Sequence, residues 1–154
     1  MDNLDTTDVP RVYVDMTGDL FHAGHVALLK AARQFGNWLV VGVLSDETVA
    51  SYKRRPVMCL AERVAVIESC RYVDEVIPDA PFRVTEEFLA EHGIAKVVHG
   101  DDMSPQATED MYGPAVAAGK FAYVRYTQGI STTEIIQRIV AAHSDDPRSA
   151  SPIG

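Results

Sequence analysis

Val12-Tyr13-Val14-Asp15-Met16-Thr17-Gly18-Asp19-Leu20-Phe21-His22-Ala23-Gly24-His25 decides how the rest of this chain is read. An apolar strand runs straight into a turn and then into a helix that carries two histidines. The amides at such a helix start have no helical partners, and the helix dipole adds partial positive charge there, so the junction suits an anion. His22 and His25 stand three apart, so a helix beginning near His22 sets both imidazoles on one face beside that anion. Two other readings of the pair stay open at this point: ordinary surface polarity, or half of a metal site. Zinc needs three or four ligands, yet neither Cys59 nor Cys70 has a neighbour at ligand spacing, and His92, His99 and His143 are scattered.

The bulk numbers bound what surrounds that turn. At 154 residues one domain is expected, and a chain of this size buries roughly 70% of its unfolded surface without disulfides or metals. Two distant cysteines, no signal-peptide pattern and no apolar run long enough for a bilayer predict a soluble, cytoplasmic protein with no membrane partner. A net charge of −8 leaves no basic stripe to replace phosphate counterions, which argues against a nucleic-acid partner.

Residues 1–10 read as a flexible lead and Arg11 to Met16 as the first strand. From Ala23 the apolar residues Val26, Leu28, Leu29 and Ala32 recur at helical spacing up to Phe35, and Gly36-Asn37 is a helix stop. Trp38 to Leu44 is a near-continuous apolar run, the pattern of a strand buried on both faces of a parallel sheet. Ser45-Asp46-Glu47 opens a short helical turn. Leu60 to Arg71 reads as a helix, Val73 to Ile77 as a strand, Thr85 to Glu91 as a helix stopped by Gly93, and Ala95 to His99 as a strand. Ala107 to Ala118 is helical but broken at Gly113-Pro114, and Phe121 to Tyr126 is the last strand. A final helix to about Ala142 follows Gln128-Gly129-Ile130-Ser131-Thr132-Thr133-Glu134, with hydroxyls at its N-cap. The alternation predicts an α/β, Rossmann-like, doubly wound fold over residues 11–143: a mainly parallel five-stranded sheet with helices on both faces. Residues 144–154 have linker composition, either a loose tail or the way to a removed second domain. Lys53-Arg54-Arg55, the only cluster of three basic residues, follows a strand's carboxyl end, where open α/β sheets bind ligands. A solvated loop is the competing reading.

His22-Ala23-Gly24-His25 taken with Gly129-Ile130-Ser131-Thr132-Thr133 resembles the CTP-dependent cytidylyltransferases that act on phosphocholine, phosphoethanolamine and glycerol 3-phosphate. The similarity runs from about Arg11 to Ile139 and includes Asp19-Leu20-Phe21-His22, Ser45-Asp46-Glu47, Cys70-Arg71-Tyr72-Val73-Asp74-Glu75-Val76 and Val98-His99-Gly100. The HxGH motif alone is shared with adenylyltransferases; followed in order by TxGIST it is far more specific. The resemblance implies catalytic roles for His22, His25 and Lys53. It implies nucleotide contacts from Thr17, Gly18, Asp19, both histidines, Arg63, His99, Asp101, Gly129, Ile130, Ser131 and Thr132, and acceptor contacts from Asp19, Lys53, Phe82, Gly100 and Tyr126. It further implies Mg2+ entering with CTP, no resident metal site, and a homodimer formed partly through Cys70 to Glu75. Arg71 and Glu75 also suit a plain i, i+4 surface pair.

In the implied reaction an acceptor phosphate attacks the α-phosphorus of CTP and pyrophosphate leaves. With a second pKa of roughly 6 that phosphate is already largely a dianion and needs no general base. Charge neutralisation is what remains, from histidine, lysine, helix N-termini and magnesium. Three departures bear on the acceptor. Tyr126 stands where the family has an arginine ahead of Thr-x-Gly-Ile-Ser. Phe82 and Gly100 stand where the phosphocholine enzymes carry an aromatic and an acidic residue around a quaternary ammonium, and the glycine of Met16-Thr17-Gly18-Asp19 is displaced. These features disfavour a choline head and favour a small acceptor with a neutral head. The best candidate is 2-hydroxyethylphosphonate, the acceptor of a cytidylyltransferase domain fused to a phosphoenolpyruvate mutase in fosfomycin biosynthesis. Ethanolamine phosphate is the alternative, and a nucleotide-binding module without catalysis is the rival from another class.

Overall fold

The computed structural model describes residues 9–150. Five strands, β1 (Arg11–Met16), β2 (Trp38–Val43), β3 (Glu75–Pro78), β4 (Ile94–Gly100) and β5 (Phe121–Val124), pair in parallel throughout, in the order β3-β2-β1-β4-β5. The helices are α1 (Ala23–Ala32), α2 (Asp46–Ala50), α3 (Leu60–Glu68), α4 (Glu86–Glu91), α5 (Pro105–Ala117) and α6 (Thr132–Asp145). Among the described residues no helix is long and apolar enough to cross a membrane. Most of the lead, residues 1–8, and the last four residues of the tail lie outside the described residues.

β1 is the central strand because both of its faces are apolar. Side chains alternate along a strand, so Val12, Val14 and Met16 pack with Leu29 and Ala32 of α1 and Ile67 of α3. Tyr13 points the other way, into a second cluster with Leu89 of α4 and Tyr112 and Ala115 of α5. Each fully buried aliphatic side chain contributes about 1.5–3 kcal/mol, which holds helices to both faces. The chain winds outward from β1 through β2 to β3 and then returns to add β4 and β5 on β1's other side. The winding therefore reverses between β1 and β4, and such a reversal opens a crevice beyond the strands' carboxyl ends. Gly18 and Leu20, in the turn after β1, have φ of +69° and +49°. Gly18 must be glycine on two counts, since a Cβ there would also lie 2.6 Å from Ile67 Cδ1.

Several expected boundaries move, for reasons visible in hydrogen bonding. The helix expected to reach Arg71 ends at Glu68. Asp74 and Glu75 serve the sheet edge: Asp74 Oδ2 accepts from the Leu39 N–H at 2.8 Å, and Glu75 Oε2 accepts from Arg11 at 2.7 Å and from the Trp38 indole at 3.1 Å. The Arg71–Glu75 helical pair is thereby overturned. α5 runs unbroken through Gly113-Pro114, because Arg83 takes the Asp110 carbonyl that Pro114 cannot serve. The linker-like stretch begins inside α6, which continues to Asp145, and Pro147–Ala150 form a turn of 3-10 helix.

Arg63 corrects a site expectation. Expected against the nucleotide, its side chain is fully buried and faces inward. Nε donates to the Met58 carbonyl, Nη1 to the Thr17 and Leu44 carbonyls, and Nη2 to Asp46 at 2.6 Å. These four acceptors lie on the turn after β1, the end of β2, the start of α2 and the approach to α3. Removing one partner of a buried charged pair typically costs about 3–5 kcal/mol, so Arg63→Met should lower unfolding stability by that order. A urea-melt midpoint unchanged from the parent chain would show that the guanidinium carries no such load.

Candidate active site

A cleft of about 850 Å³ occupies the crevice beyond β1 and β4. Four segments meet there. The turn after β1 supplies Thr17, Gly18, Asp19, His22 and His25; the loop after α2 supplies Tyr52, Lys53 and Arg54. The end of β4 brings His99, Gly100 and Asp102, and the junction into α6 brings Ile130, Ser131, Thr132 and Thr133. Phe82, Arg125 and Tyr126 complete the wall. Most of the residues expected at the site are thus brought together, although they come from positions more than 100 apart in the chain.

The two histidines cap their own helix. His22 is the N-cap of α1, and its Nδ1 accepts from the Gly24 N–H at 3.0 Å. His25 Nδ1 accepts in return from the His22 N–H at 3.0 Å, so two histidines build the reciprocal arrangement usually made by Ser or Thr with Glu. An imidazole nitrogen that accepts carries no proton. Both rings are therefore neutral with the proton on Nε2, leaving two N–H donors outside the cap. Burial holds the pKa of His22 below its ordinary value. Burial, and then the neighbouring His22, depress that of His25 to about 4. The ring centroids lie 3.9 Å apart, and Phe21 stacks on His25 at 5.2 Å.

The neighbouring junction is tied to this cap. Thr132 Oγ1 donates to the Asp19 carbonyl at 3.0 Å and sits 3.4 Å from His22 Nε2, where it can accept the His22 proton. Ser131 caps α6, its Oγ accepting from the Glu134 N–H at 3.1 Å, while its own hydroxyl hydrogen remains able to donate. The first amides of α6 thus stand beside two imidazole donors, a strong arrangement for phosphate. Gly129 does not line the cleft; with φ of +84° it makes the turn that aims α6. Arg54 Nη1 lies 3.5 Å from Thr133 Oγ1, so the basic loop closes over the same helix start. Lys53 Nζ rests 5.5 Å from the Tyr52 ring centroid. Partial desolvation, then the Arg54 charge, pull its pKa below the ordinary value.

Two acidic residues have duties inside the protein. Asp19 lines the cleft, but its carboxylate oxygens accept from the Val57 and Met58 amides at 2.8 and 3.0 Å, tethering the strip that follows the basic loop. Asp101, expected near the nucleotide, lies outside the main cleft, and its Oδ1 accepts from the Tyr126 N–H at 2.7 Å. Asp102 takes the place in the lining. Among the described residues no group of three His, Cys, Asp or Glu side chains could hold a metal ion.

Sequence reasoning gave Asp15 no role. It lies in the cleft floor, only 4% exposed, where Tyr112 donates to Oδ1 and Oδ2 has no partner. Burial raises its pKa to about 6, against the opposing pull of the Tyr112 hydrogen bond and nearby His99. Tyr52 and Phe82, ring centroids 5.3 Å apart, stand in the wall of the same cleft. The available signal was an acidic residue inside an otherwise apolar stretch of the central strand, which costs stability unless it is used.

Comparison with known proteins follows from this geometry. A family model described as cytidylyltransferase-like matches residues 17–138. Ethanolamine-phosphate cytidylyltransferase of Dictyostelium discoideum is 41% identical over 142 residues, covering 92% of this chain and 39% of that protein. Human choline-phosphate cytidylyltransferase A is 48% identical over 133 residues, covering 84% of this chain and 36% of that protein. The chain therefore spans less than two-fifths of the length of these relatives. Among solved structures, a lipopolysaccharide core biosynthesis protein from Thermoplasma volcanium superposes with a TM-score of 0.64 at 23% identity, covering 79% of this chain and 99% of that one. Pantothenate synthetase from Thermus thermophilus gives 0.57 at 16% identity, covering 87% and 65%. These two likenesses concern the fold.

The histidine cap has a pH signature. The folded pKa of His25, about 4, lies below the ordinary 6.5. The unfolded chain therefore takes up its proton first, and the cap's contribution, fully present above about pH 6.5, is lost as pH falls toward 4. Asp15 runs the other way: its folded pKa is raised, so its contribution is lost as pH rises from about 4 to about 6. The comparison is therefore with His25→Asn, which keeps an acceptor near the Nδ1 position and does not titrate. Urea unfolding between pH 6.5 and 4 should show the parent chain losing on the order of 3 kcal/mol more than the variant; parallel pH profiles would contradict the neutral cap.

Proposed function

We propose that this chain, which belongs to the cytidylyltransferase-like family, transfers CMP from CTP to a small phosphate ester whose two-carbon head ends in a hydrogen-bond donor, with ethanolamine phosphate the best-supported acceptor. Asp15 is the observation that carries the choice of head. A carboxylate lining the cleft, 4% exposed and with one buried oxygen that nothing in the protein meets, near aromatic walls, favours a cationic head with N–H bonds to give. A quaternary ammonium has no such bond, which ranks choline phosphate lower. The expectation of a neutral head rested on Phe82 and Gly100 and left Asp15 out. 2-Hydroxyethylphosphonate is the second reading, favoured by Tyr126 in the wall and by the upward shift of the Asp15 pKa on burial, which makes a neutral carboxyl, suited to a hydroxyl head, more accessible.

In this reading an acceptor phosphate oxygen attacks the α-phosphorus in line, a new P–O bond forms, and the bond to the β-phosphate oxygen breaks to release pyrophosphate. The His22 and His25 Nε2–H groups and the first amides of α6 meet the nucleotide phosphates. Lys53 and Arg54 cover them from the loop side. Neutral histidines move no proton; they are fixed dipoles aimed where charge gathers, and fixed donors need no reorganisation during reaction. Mg2+ binds chiefly through substrate phosphates with one or two carboxylates, so in this reading the ion arrives on CTP. Asp102, exposed in the lining, would share in holding it, and the ion would supply further charge neutralisation. The same reading carries a two-fold homodimer through Cys70 to Glu75, which sedimentation at micromolar concentration would test.

Pyrophosphate release from CTP should be fastest with ethanolamine phosphate in a panel that includes choline phosphate, glycerol 3-phosphate and 2-hydroxyethylphosphonate. Asp15→Asn should cut kcat/KM for ethanolamine phosphate by roughly tenfold or more, the loss of about 1.4 kcal/mol, while sparing the phosphonate. Greater loss with the phosphonate would favour the second reading, and tight CTP binding without turnover on any acceptor would make the chain a nucleotide-binding module. His25→Asn, folded by circular dichroism, should lower kcat about 100- to 1,000-fold, the usual effect of deleting one fixed donor to a charged transition state. Unchanged kcat would remove His25 from the chemistry.

A further inference from the structure

Helix α5 passes the acceptor side of the cleft with a gap in its own hydrogen-bond ladder. Pro114 has no N–H, so the Asp110 carbonyl, four residues earlier, has no helical donor. Arg83 fills the gap: its Nη1 donates to the Asp110 carbonyl at 2.8 Å and to the Glu109 carbonyl at 2.6 Å. Val84 continues the seam, its N–H donating to the Met111 carbonyl at 2.8 Å, and its side chain is fully buried. Three successive carbonyls of α5 are thus bound by two successive loop residues. The residue before them, Phe82, lines the cleft, as do Asp110 and Met111 across the seam, and the next helical residue, Tyr112, donates to Asp15. Arg83 itself is exposed and lies outside the lining.

We propose that Arg83 is a positioning residue for the acceptor: by replacing the amide that Pro114 lacks, it fixes the Phe82 wall against the helix that carries Met111 and Tyr112. This rests on the acceptor pocket proposed above. Val84 alone would still dock the loop, so the loss of Arg83 should loosen the wall without unfolding the chain.

Arg83→Met should raise KM for ethanolamine phosphate at least about fivefold, with KM for CTP changed less than twofold, as expected when one charge-assisted hydrogen-bond site is lost. Arg83→Lys, which can still donate to a carbonyl, should recover part of the loss. Pro114→Ala gives the Asp110 carbonyl a helical donor but no tie to the Phe82 loop, so the rise caused by Arg83→Met should persist in that background. An unchanged acceptor KM, an equal rise for CTP, or a rise abolished by Pro114→Ala would overturn the proposal. Amide exchange at Val84 is read in parallel without any substrate: faster exchange in Arg83→Met, with or without Pro114→Ala, is expected, and unchanged exchange overturns the seam. If the parent chain turns over neither ethanolamine phosphate nor 2-hydroxyethylphosphonate, the acceptor reading fails, and the exchange result decides on Arg83 by itself.

Discussion

A guanidinium with no water around it holds the floor of the cleft together. A buried charge is tolerated only when its donors are met, and Arg63 meets them with three backbone carbonyls and the Asp46 carboxylate. These partners sit on three segments, around residues 17, 44–46 and 58, so the charge makes them one body. Asp19 adds a second tie, from the turn after β1 to the Val57 and Met58 amides, and Thr132 adds a third, from α6 back to the Asp19 carbonyl. The histidine turn is thus gripped on several sides before any ligand arrives. Polar residues that chemistry would readily give to a ligand are spent on holding the cleft in shape.

That rigidity gives the histidines their character. A charged imidazole could not accept at Nδ1, so a protonated pair would undo the start of α1. The fold therefore selects neutral rings and directs their protons to Nε2. Net positive charge comes from Lys53, Arg54 and Arg125 around the opening, which matters in a chain of net charge −8, where the long-range field repels an anion and only local donors draw it in. Asp15 adds an acidic group to the lining of the same cleft.

Much of the fold was legible in the order of apolar runs. Trp38 to Leu44 could be read as a strand buried on two faces because its run is nearly all apolar, and Arg11 to Met16 as the first strand; both are strands of the sheet with almost every residue buried. Element ends were read less well, since they depend on partners far away. α3 stops early where Asp74 and Glu75 are taken by Leu39, Arg11 and Trp38. α5 continues through Pro114 because a distant arginine satisfies its carbonyl. Of the site, the histidine turn and the Ser131-Thr132 junction carry local motifs and were found at once. The inward turn of Arg63 and the tie from Asp101 to the Tyr126 amide were not legible, because a polar residue near a motif looks the same whether it faces a ligand or a backbone. Asp15 was passed over because its burial, not its type, makes it unusual.

The sequence by itself determined the parallel sheet, the helix starts and the family, for these rest on periodicity, capping residues and short motifs that act within a few positions of the chain. It also pointed to a strand-to-helix turn with free amides, a place suited to an anion. The tertiary structure alone decided which polar side chains remain available. Arg63, Asp19 and Asp101 are engaged by carbonyls and amides from other segments, while Asp15 keeps one buried oxygen that nothing else in the protein meets. The physical reason is that every buried donor and acceptor must be matched, and which ones are left over to meet a ligand is settled only once all the segments have packed.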